Sequence, residues 1–247
     1  MKLIDAHAHL ERVPGVESAL DEARGQGVCA VIAVGMDSRS NRATLELAER
    51  YPSYVYPCAG YHPWEIKAEK VEEEIRAVEH SLSRCVALGE VGLDFGVKVP
   101  KALQKEVFAR LLALAAALDK PVIVHARYSH QRTLEAVVEQ GVSRAVFHWY
   151  SGPLDTLKAL LDRGYCISAT PALAYSPPHQ EAVRYAPTEQ LLVETDCPVS
   201  YQGQESRPAD VRKTVEQAAS LKKMAAEALA QIVFRTTMDF FRLPETP

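Results

Sequence analysis

Eight short apolar runs, each followed by a stretch of helical spacing, constrain this chain more than any other feature. The runs are "KLIDAHAHL" at residue 2, "VCAVIAVG" at 28, "VYPCAGYHP" at 55, "CVALGEVGL" at 85, "VIVHAR" at 122, "AVFHWY" at 145, "YCISAT" at 165 and "LLVETDC" at 191. Their length and β-branched content read as strands. Helical spacing fills 16–25, 40–51, 68–82, 101–119, 130–140, 153–163 and 178–186, and a tail over 208–241 is long enough for two helices. In 101–119, Leu103, Val107, Leu111, Leu114, Ala115 and Leu118 recur on one stripe. Eight strands alternating with helices over 247 residues match an α/β chain folded as a single (β/α)8 TIM barrel spanning 1–247. A doubly wound open sheet is the alternative, but it usually has fewer strands, and the Gly-rich first turn of a dinucleotide fold is absent. "SPPH" at 176 and "SYQGQESRP" at 200 read as loops.

Reactive residues of such barrels lie where strands end and the following loops begin. His7 and His9 end the first run, and a strand's alternation points both the same way, about 7 Å apart. Glu90 ends the fourth, and His125, His148 and Asp196 come late in the fifth, sixth and eighth. Each alone has an ordinary explanation, a satisfied core histidine or a helix-capping carboxylate. Six metal-type ligands at one end of separate strands, in a chain with 8 histidines, point to a shared cation. One ion cannot take six protein ligands and keep a place for water, whereas two can if a carboxylate bridges them. Glu90, opposite the first strand, is the natural bridge. His7, His9 and Asp196 then complete one ion, and His125 and His148 the other. The donors suit zinc, manganese, iron, nickel or magnesium.

Composition narrows the rest. The net charge is -4, so no global basic field recruits polyanions, and any nucleic acid must be gripped locally or through metal. No apolar stretch approaches the roughly 18 residues of a membrane span, and no cationic leader precedes an apolar run, so a cytoplasmic protein without membrane partners is expected. The 5 cysteines (Cys29, Cys58, Cys85, Cys166 and Cys197) form no CxxC pair and read as buried thiols, with Cys197 notable for following Asp196.

The stretches "IDAHAHL", "GYHP", "GEVGLDF", "VIVHAR", "FHWYSG" and "VETDCP", in that order over residues 3–200, resemble the TatD-like metal-dependent hydrolases of the amidohydrolase superfamily. The resemblance implies a (β/α)8 fold, two divalent metals and phosphodiester hydrolysis, with deoxyribonuclease the best-known activity. It supports the six ligands and points to His62 of "GYHP" as a residue beside the substrate phosphate. Three segments depart from the family pattern. Trp149-Tyr150 precede Ser151-Gly152 where a Phe is usual, "ESRPAD" is reduced, and "TTMDFF" lacks an Asn. The substrate rim is therefore expected to differ more than the metal centre.

The expected reaction is attack by activated water, with Glu90 holding metal, Asp196 accepting a proton and His62 contacting the phosphate. Arg127 shares a face with His125 and can clamp an anion, while Trp149 and Tyr150 can stack on a base or cover the site. Glu194, two before Asp196, is expected to support a ligand histidine, and Asp94 to orient the loop after Glu90. His80, His130 and His179 read as surface residues, and "EKVEEEIR" at 69 as a solvated helix face. Single-stranded DNA or a small phosphodiester is the expected substrate. An amide, lactone or ester hydrolase on the same barrel is the alternative, and an inactive metal-binding scaffold the alternative from another class.

Overall fold

In a computed structural model, described here for residues 1–244, every one of the eight runs forms a strand. In chain order these are β1 (Leu3–Ala8), α1 (Val16–Gly25), β2 (Val28–Val34), α2 (Ser38–Arg50), β3 (Val55–Ala59), α3 (Val71–Leu82), β4 (Ala87–Asp94), α4 (Lys101–Ala117) and β5 (Val122–Arg127). There follow α5 (His130–Glu139), β6 (Ala145–Phe147), α6 (Leu154–Leu161), β7 (Cys166–Ala169), α7 (Pro177–Tyr185) and β8 (Leu191–Val193). A small antiparallel hairpin, β9 (Ser200–Tyr201) and β10 (Gln204–Glu205), precedes α8 (Val211–Lys222) and α9 (Ala226–Phe241). The eight main strands pair in parallel in sequence order, the topology of a (β/α)8 barrel.

Local chemistry explains the helix ends. Asp37 caps α2 by accepting the Ser40 N–H at 2.8 Å, while the Ser40 hydroxyl accepts the Asp37 N–H at 2.9 Å. Pro177 opens α7, where a missing N–H costs nothing, so "SPPH" begins a helix rather than remaining a loop. The 200–205 segment likewise turns back on itself instead of running as open loop. On α4, Val107, Leu111 and Ala115 are fully buried as the stripe requires, but the helix stops at Ala117 and Leu118 is 49% exposed. Glu74 departs from the solvated face of α3. It is buried, and its carboxylate accepts the Ser38 N–H and hydroxyl at 2.7 and 2.9 Å, at the positive start of α2.

Alternation along the strands divides the core into two layers. Ile32, Tyr56, Cys58, Ile123, Val146 and Leu192 belong to an inner cluster, which Phe240, Phe241 and Leu243 join from the end of α9. Their neighbours, such as Val31, Val55, Val122, Phe147 and Ile167, pack outward among the helices. The Phe240 carbonyl accepts from Arg144, just before β6, so the end of α9 plugs the barrel at the strands' N-terminal side. The opposite end is left for the candidate ligands.

The barrel closes without β8 itself pairing to β1. The chain beyond β8 runs beside β1: the Asp196 N–H donates to His7 O at 2.9 Å and the His9 N–H to Cys197 O at 2.8 Å. Asp5, fully buried, fastens this seam by accepting the Thr195 N–H at 2.9 Å and the Thr195 hydroxyl at 2.6 Å. Cys197 contributes through its backbone. Burial pushes its thiol well above the usual range, leaving it unreactive. Cys58, Cys85 and Cys166 are buried too, and Cys29 is half-buried.

Asp5→Ala leaves two buried donors of Thr195 unpaired, at roughly 1–3 kcal/mol each. The expected loss is about 3 kcal/mol, read as a lower urea midpoint at unchanged slope. An unchanged midpoint would show that the seam does not depend on Asp5.

Candidate metal centre

Two strand irregularities aim the candidate ligands. Between Leu88↔Val122 and Val91↔Val124, β4 advances three residues while β5 advances two. Leu88, Val91 and Leu93 consequently all pack outward, and Glu90, which strict alternation would put on the Leu88 face, turns inward. β1 does the same between Asp5↔Val31 and Ala8↔Ala33. Ala6 belongs to the inner cluster and Ala8 to the outer one, so His7 lies inside. Such bulges re-aim side chains. His125 and His148 need none, because they follow Ile123 and Val146 by regular alternation on the inner face.

The six expected ligands converge. Glu90 Oε2 lies 3.4 Å from both His7 Nε2 and His9 Nε2. Its other oxygen, Oε1, lies 2.7 Å from His125 Nδ1 and 2.8 Å from His148 Nε2. Asp196 Oδ1 is 3.5 Å from each of His7 and His9 Nε2, and those two nitrogens are 3.2 Å apart. His62 belongs to the same bed, with Nε2 3.2 Å from Glu90 Oε1. Buried ligand sets with atoms within 4.8 Å of one another are His7–His9–Asp196, His62–Glu90–His125 and His7–His148–Glu194.

Surrounding acceptors orient the rings. His9 Nδ1 meets Val34 O at 3.0 Å, which aims Nε2 toward Glu90 and Asp196. His148 Nδ1 meets Glu194 Oε1 at 3.3 Å, and His125 Nε2 meets Asp94 Oδ2 at 3.3 Å. Carboxylates behind metal-ligating histidines set tautomer and basicity in this way. Asp94 therefore does more than orient a loop: Oδ2 also accepts the Trp64 indole N–H at 2.6 Å, and Oδ1 the Gly96 N–H at 2.7 Å. Asp196 itself holds φ 52°, a left-handed conformation costly outside glycine.

The charges of the site are mutually dependent. Burial opposes charge on Glu90, but the imidazoles of His148, His62 and His125 hold its carboxyl well below the usual range. Burial likewise opposes charge on Asp196, where His9 and His7 keep it low. Burial would push His9 down, yet bonds to Asp196 and Glu90 hold it up at about 10. His148 and His125 are also raised, against burial, by their carboxylate partners. His62 goes the other way: burial pushes it down to about 4. A buried set of imidazoles and carboxylates that attracts protons this strongly offers the donors that a divalent cation needs.

Above the ligands opens a cavity of about 1190 Å³, lined by Arg12, Trp64, Arg127, Tyr128, Arg132, Trp149 and Tyr175 among others. Arg127 stands at this rim as expected from its face. Trp149 reaches it too, with its ring 5.3 Å from Tyr201 of the hairpin and its backbone N–H donating to Ser168 Oγ and Glu194 Oε1. Tyr150 does not. It is 1% exposed, its hydroxyl donates to Pro153 O, and it follows the left-handed turn at Trp149 (φ 43°) into the core. His179 is buried rather than superficial, because Pro177 starts α7 early and seats it in the first turn; Nδ1 donates to Tyr150 O at 2.7 Å and Nε2 accepts the Thr170 N–H at 3.1 Å. His130 is half-buried against Tyr150 and lines the cavity. His80 is exposed. The sequence reading missed Asp5, though its place two before His7 was a signal, and missed the rim aromatics Trp64, Tyr128 and Tyr175, whose exposure no local pattern reveals.

A family model described as TatD related DNase matches residues 4–242. The chain is 30% identical to the uncharacterized metal-dependent hydrolase YabD of Bacillus subtilis, over 98% of this chain and 99% of that one. It is 27% identical to the human protein named deoxyribonuclease TATDN3, over 97% and 94% of the two chains. Among solved structures, the TatD homologue YjjV of Escherichia coli superposes with a TM-score of 0.88 at 28% identity, covering 98% of both chains. A TatD family hydrolase of Entamoeba histolytica shares the fold, with a TM-score of 0.84 at 21% identity over 97% and 98% of the chains.

Metal and protons compete for this site. An imidazole held up at about 10, as His9 is, carries its proton at neutral pH in metal-free protein. A bound ion must displace that proton, so affinity falls as pH falls, by about tenfold per unit for each proton displaced. Calorimetric zinc titration at neutral pH in two buffers of different ionisation heat is expected to show at least one proton released per ion. No release would mean that the imidazoles are already neutral.

Proposed function

Because the chain belongs to the TatD family of metal-dependent hydrolases, we propose that it hydrolyses phosphodiesters, with single-stranded DNA as substrate and a small phosphodiester as the minimal one. The observation that carries this reading is the division of labour at Glu90: Oε2 faces His7 and His9, and Oε1 faces His125 and His148. That arrangement suits two divalent ions sharing one carboxylate, with zinc, manganese, magnesium, nickel or iron all compatible with its nitrogen and oxygen donors. His7, His9 and Asp196 would hold one, and His125 and His148 the other. Bound there, such ions supply Lewis acidity toward a phosphoryl oxygen and ease the ionisation of water.

The chain's own residues complete the chemistry. Asp196 keeps its carboxylate charged because His9 and His7 outweigh the cost of burial, so it can accept a proton from an attacking water. His62 has a defined tautomer. Its Nδ1 accepts the Trp64 N–H at 3.2 Å, so the neutral ring carries its proton on Nε2. That Nε2–H donates to Glu90 in the free protein and suits a non-bridging phosphate oxygen in the complex. This favours a substrate contact for His62 over metal ligation, which needs a free lone pair. Arg127, with a half-exposed side chain at the rim, adds a cation for a neighbouring phosphate.

The amide, lactone and ester reading is not favoured. The curated relatives carry metal-dependent hydrolase or deoxyribonuclease names, and the deoxyribonuclease name of TATDN3 supports a nucleic-acid substrate. With a net charge of -4, binding of such a substrate is expected to weaken steeply with salt.

The test is hydrolysis of single-stranded DNA and of a chromogenic phosphodiester by metal-stripped protein refilled singly with magnesium, manganese or zinc. Cleavage is expected only with metal, and Glu90→Ala is expected to reduce it to background. Failure of every metal on both substrates, in protein that still binds metal, would end the phosphodiesterase reading. His62→Ala is expected to lower kcat by roughly 10²-fold. Because His62 titrates near 4, it is neutral throughout the range above about pH 5 and the shape of the profile there should not change. A His62→Ala profile that loses a limb near neutrality would contradict the donor role.

A further inference from the structure

The mouth of the barrel carries large aromatic rings that stand partly in solvent. Trp64 is 48% exposed, Tyr128 72% and Tyr175 41%, and all three line the one cavity above the ligands. They come from three different loops, after β3, β5 and β7. Large rings left in water forgo burial, so their gathering around one cavity calls for a partner. Tyr128 is the clearest case. Its backbone holds φ 55°, a left-handed conformation costly for a bulky residue. The Arg127 guanidinium lies 5.3 Å from its ring centre, and Gly96 leaves the ring room, since a Cβ there would come within 3.1 Å of it. The strain and the cleared space serve to present the ring to the cavity.

Cations are interleaved with these rings. Arg12, Arg127 and Arg132 line the same cavity, with side chains 46%, 50% and 65% exposed. Each has an acidic neighbour: Glu11 at 3.4 Å, Asp94 at 3.7 Å and Glu135 at 2.8 Å respectively. In a chain of net charge -4, these guanidinium groups stand at the rim each beside a carboxylate, and a substrate phosphate can share or replace that partner. Aromatic faces alternating with guanidinium groups suit a polyanion whose flat bases are free to stack. Paired bases are already stacked on one another and do not offer their faces.

We propose that Tyr128 and Tyr175 form a base-stacking platform that binds unpaired nucleobases beside the phosphodiester being cut, with Trp64 completing the rim. The inference rests on the phosphodiesterase reading and adds to it the residues that select single strands. Stacking is tolerant of sequence, because every base has a π face.

The test uses hydrolysis-resistant phosphorothioate strands and metal-loaded protein. Binding of a short oligothymidylate is compared with that of an abasic strand of the same length, which keeps the phosphates and lacks the bases. Wild-type protein is expected to prefer the base-bearing strand by roughly 100-fold, about tenfold for each ring. The Tyr128→Ala/Tyr175→Ala variant is expected to bind both strands alike, at the abasic level. The Tyr128→Phe/Tyr175→Phe variant keeps the rings and is expected to keep the preference. Equal binding of the two strands by wild-type protein, or an undiminished preference in the alanine variant, overturns the platform. Hydrolysis of a chromogenic phosphodiester by the wild type separates the two failures. If it is cut while the base preference is absent, the platform alone falls; if no metal supports cleavage, the parent reading falls and takes the platform with it.

Discussion

The centre depends on a backbone seam. His9 N–H to Cys197 O and Asp196 N–H to His7 O join the first strand to the chain beyond the eighth. The same pair of hydrogen bonds closes the barrel and sets the first two candidate ligands against the last. Residues nearly the whole chain apart are thereby held at side-chain distances of 3.5 Å. Asp5 and Thr195 lock the seam from within a fully buried space. Closing a parallel barrel and assembling its site are here one event, which ties the site's geometry to the integrity of the whole fold.

The site is also where local rules are broken. β1 and β4 each carry a bulge beside their ligands, and Tyr128, Trp149 and Asp196 take left-handed backbone at the ends of β5, β6 and β8. Much of the rest follows local preference: Asp37 caps α2, Pro177 opens α7 and an apolar stripe buries α4. Left-handed backbone also occurs away from the site, at Ser53 and Asp119 in turns and at Lys223 and Arg242 after α8 and α9, but beside the site it falls on three strand ends that carry or flank the candidate ligands. The plug of Phe240 and Phe241 fills the other end.

Electrostatics follow from crowding. Glu90 and Asp196 sit in a buried space whose nearest partners are imidazoles, so carboxylates go down and most imidazoles go up together. His62 escapes the trend because burial dominates and the neighbouring His125 and His9 also oppose its charge. One neutral donor beside several charge-sharing rings separates, within a few ångströms, groups suited to holding cations from a group suited to touching an anion.

The sequence by itself determined the strand count, the helix positions and the six residues that converge, because apolar periodicity and strand-end placement are local properties. It could not determine how Glu90 and His7 come to reach the barrel interior. Period-two alternation is a rule within one strand, whereas a bulge exists only relative to a partner's register, three residues against two. For the same reason Tyr150 could be taken for a rim residue when it is packed in the core, while Tyr128, in an unremarkable stretch, stands at the mouth. His179 looked superficial until the start of α7 set its phase. Which ring faces water, which nitrogen carries a proton and which oxygen of Glu90 meets which histidine are settled by contacts between distant segments, and those exist only once the barrel has closed.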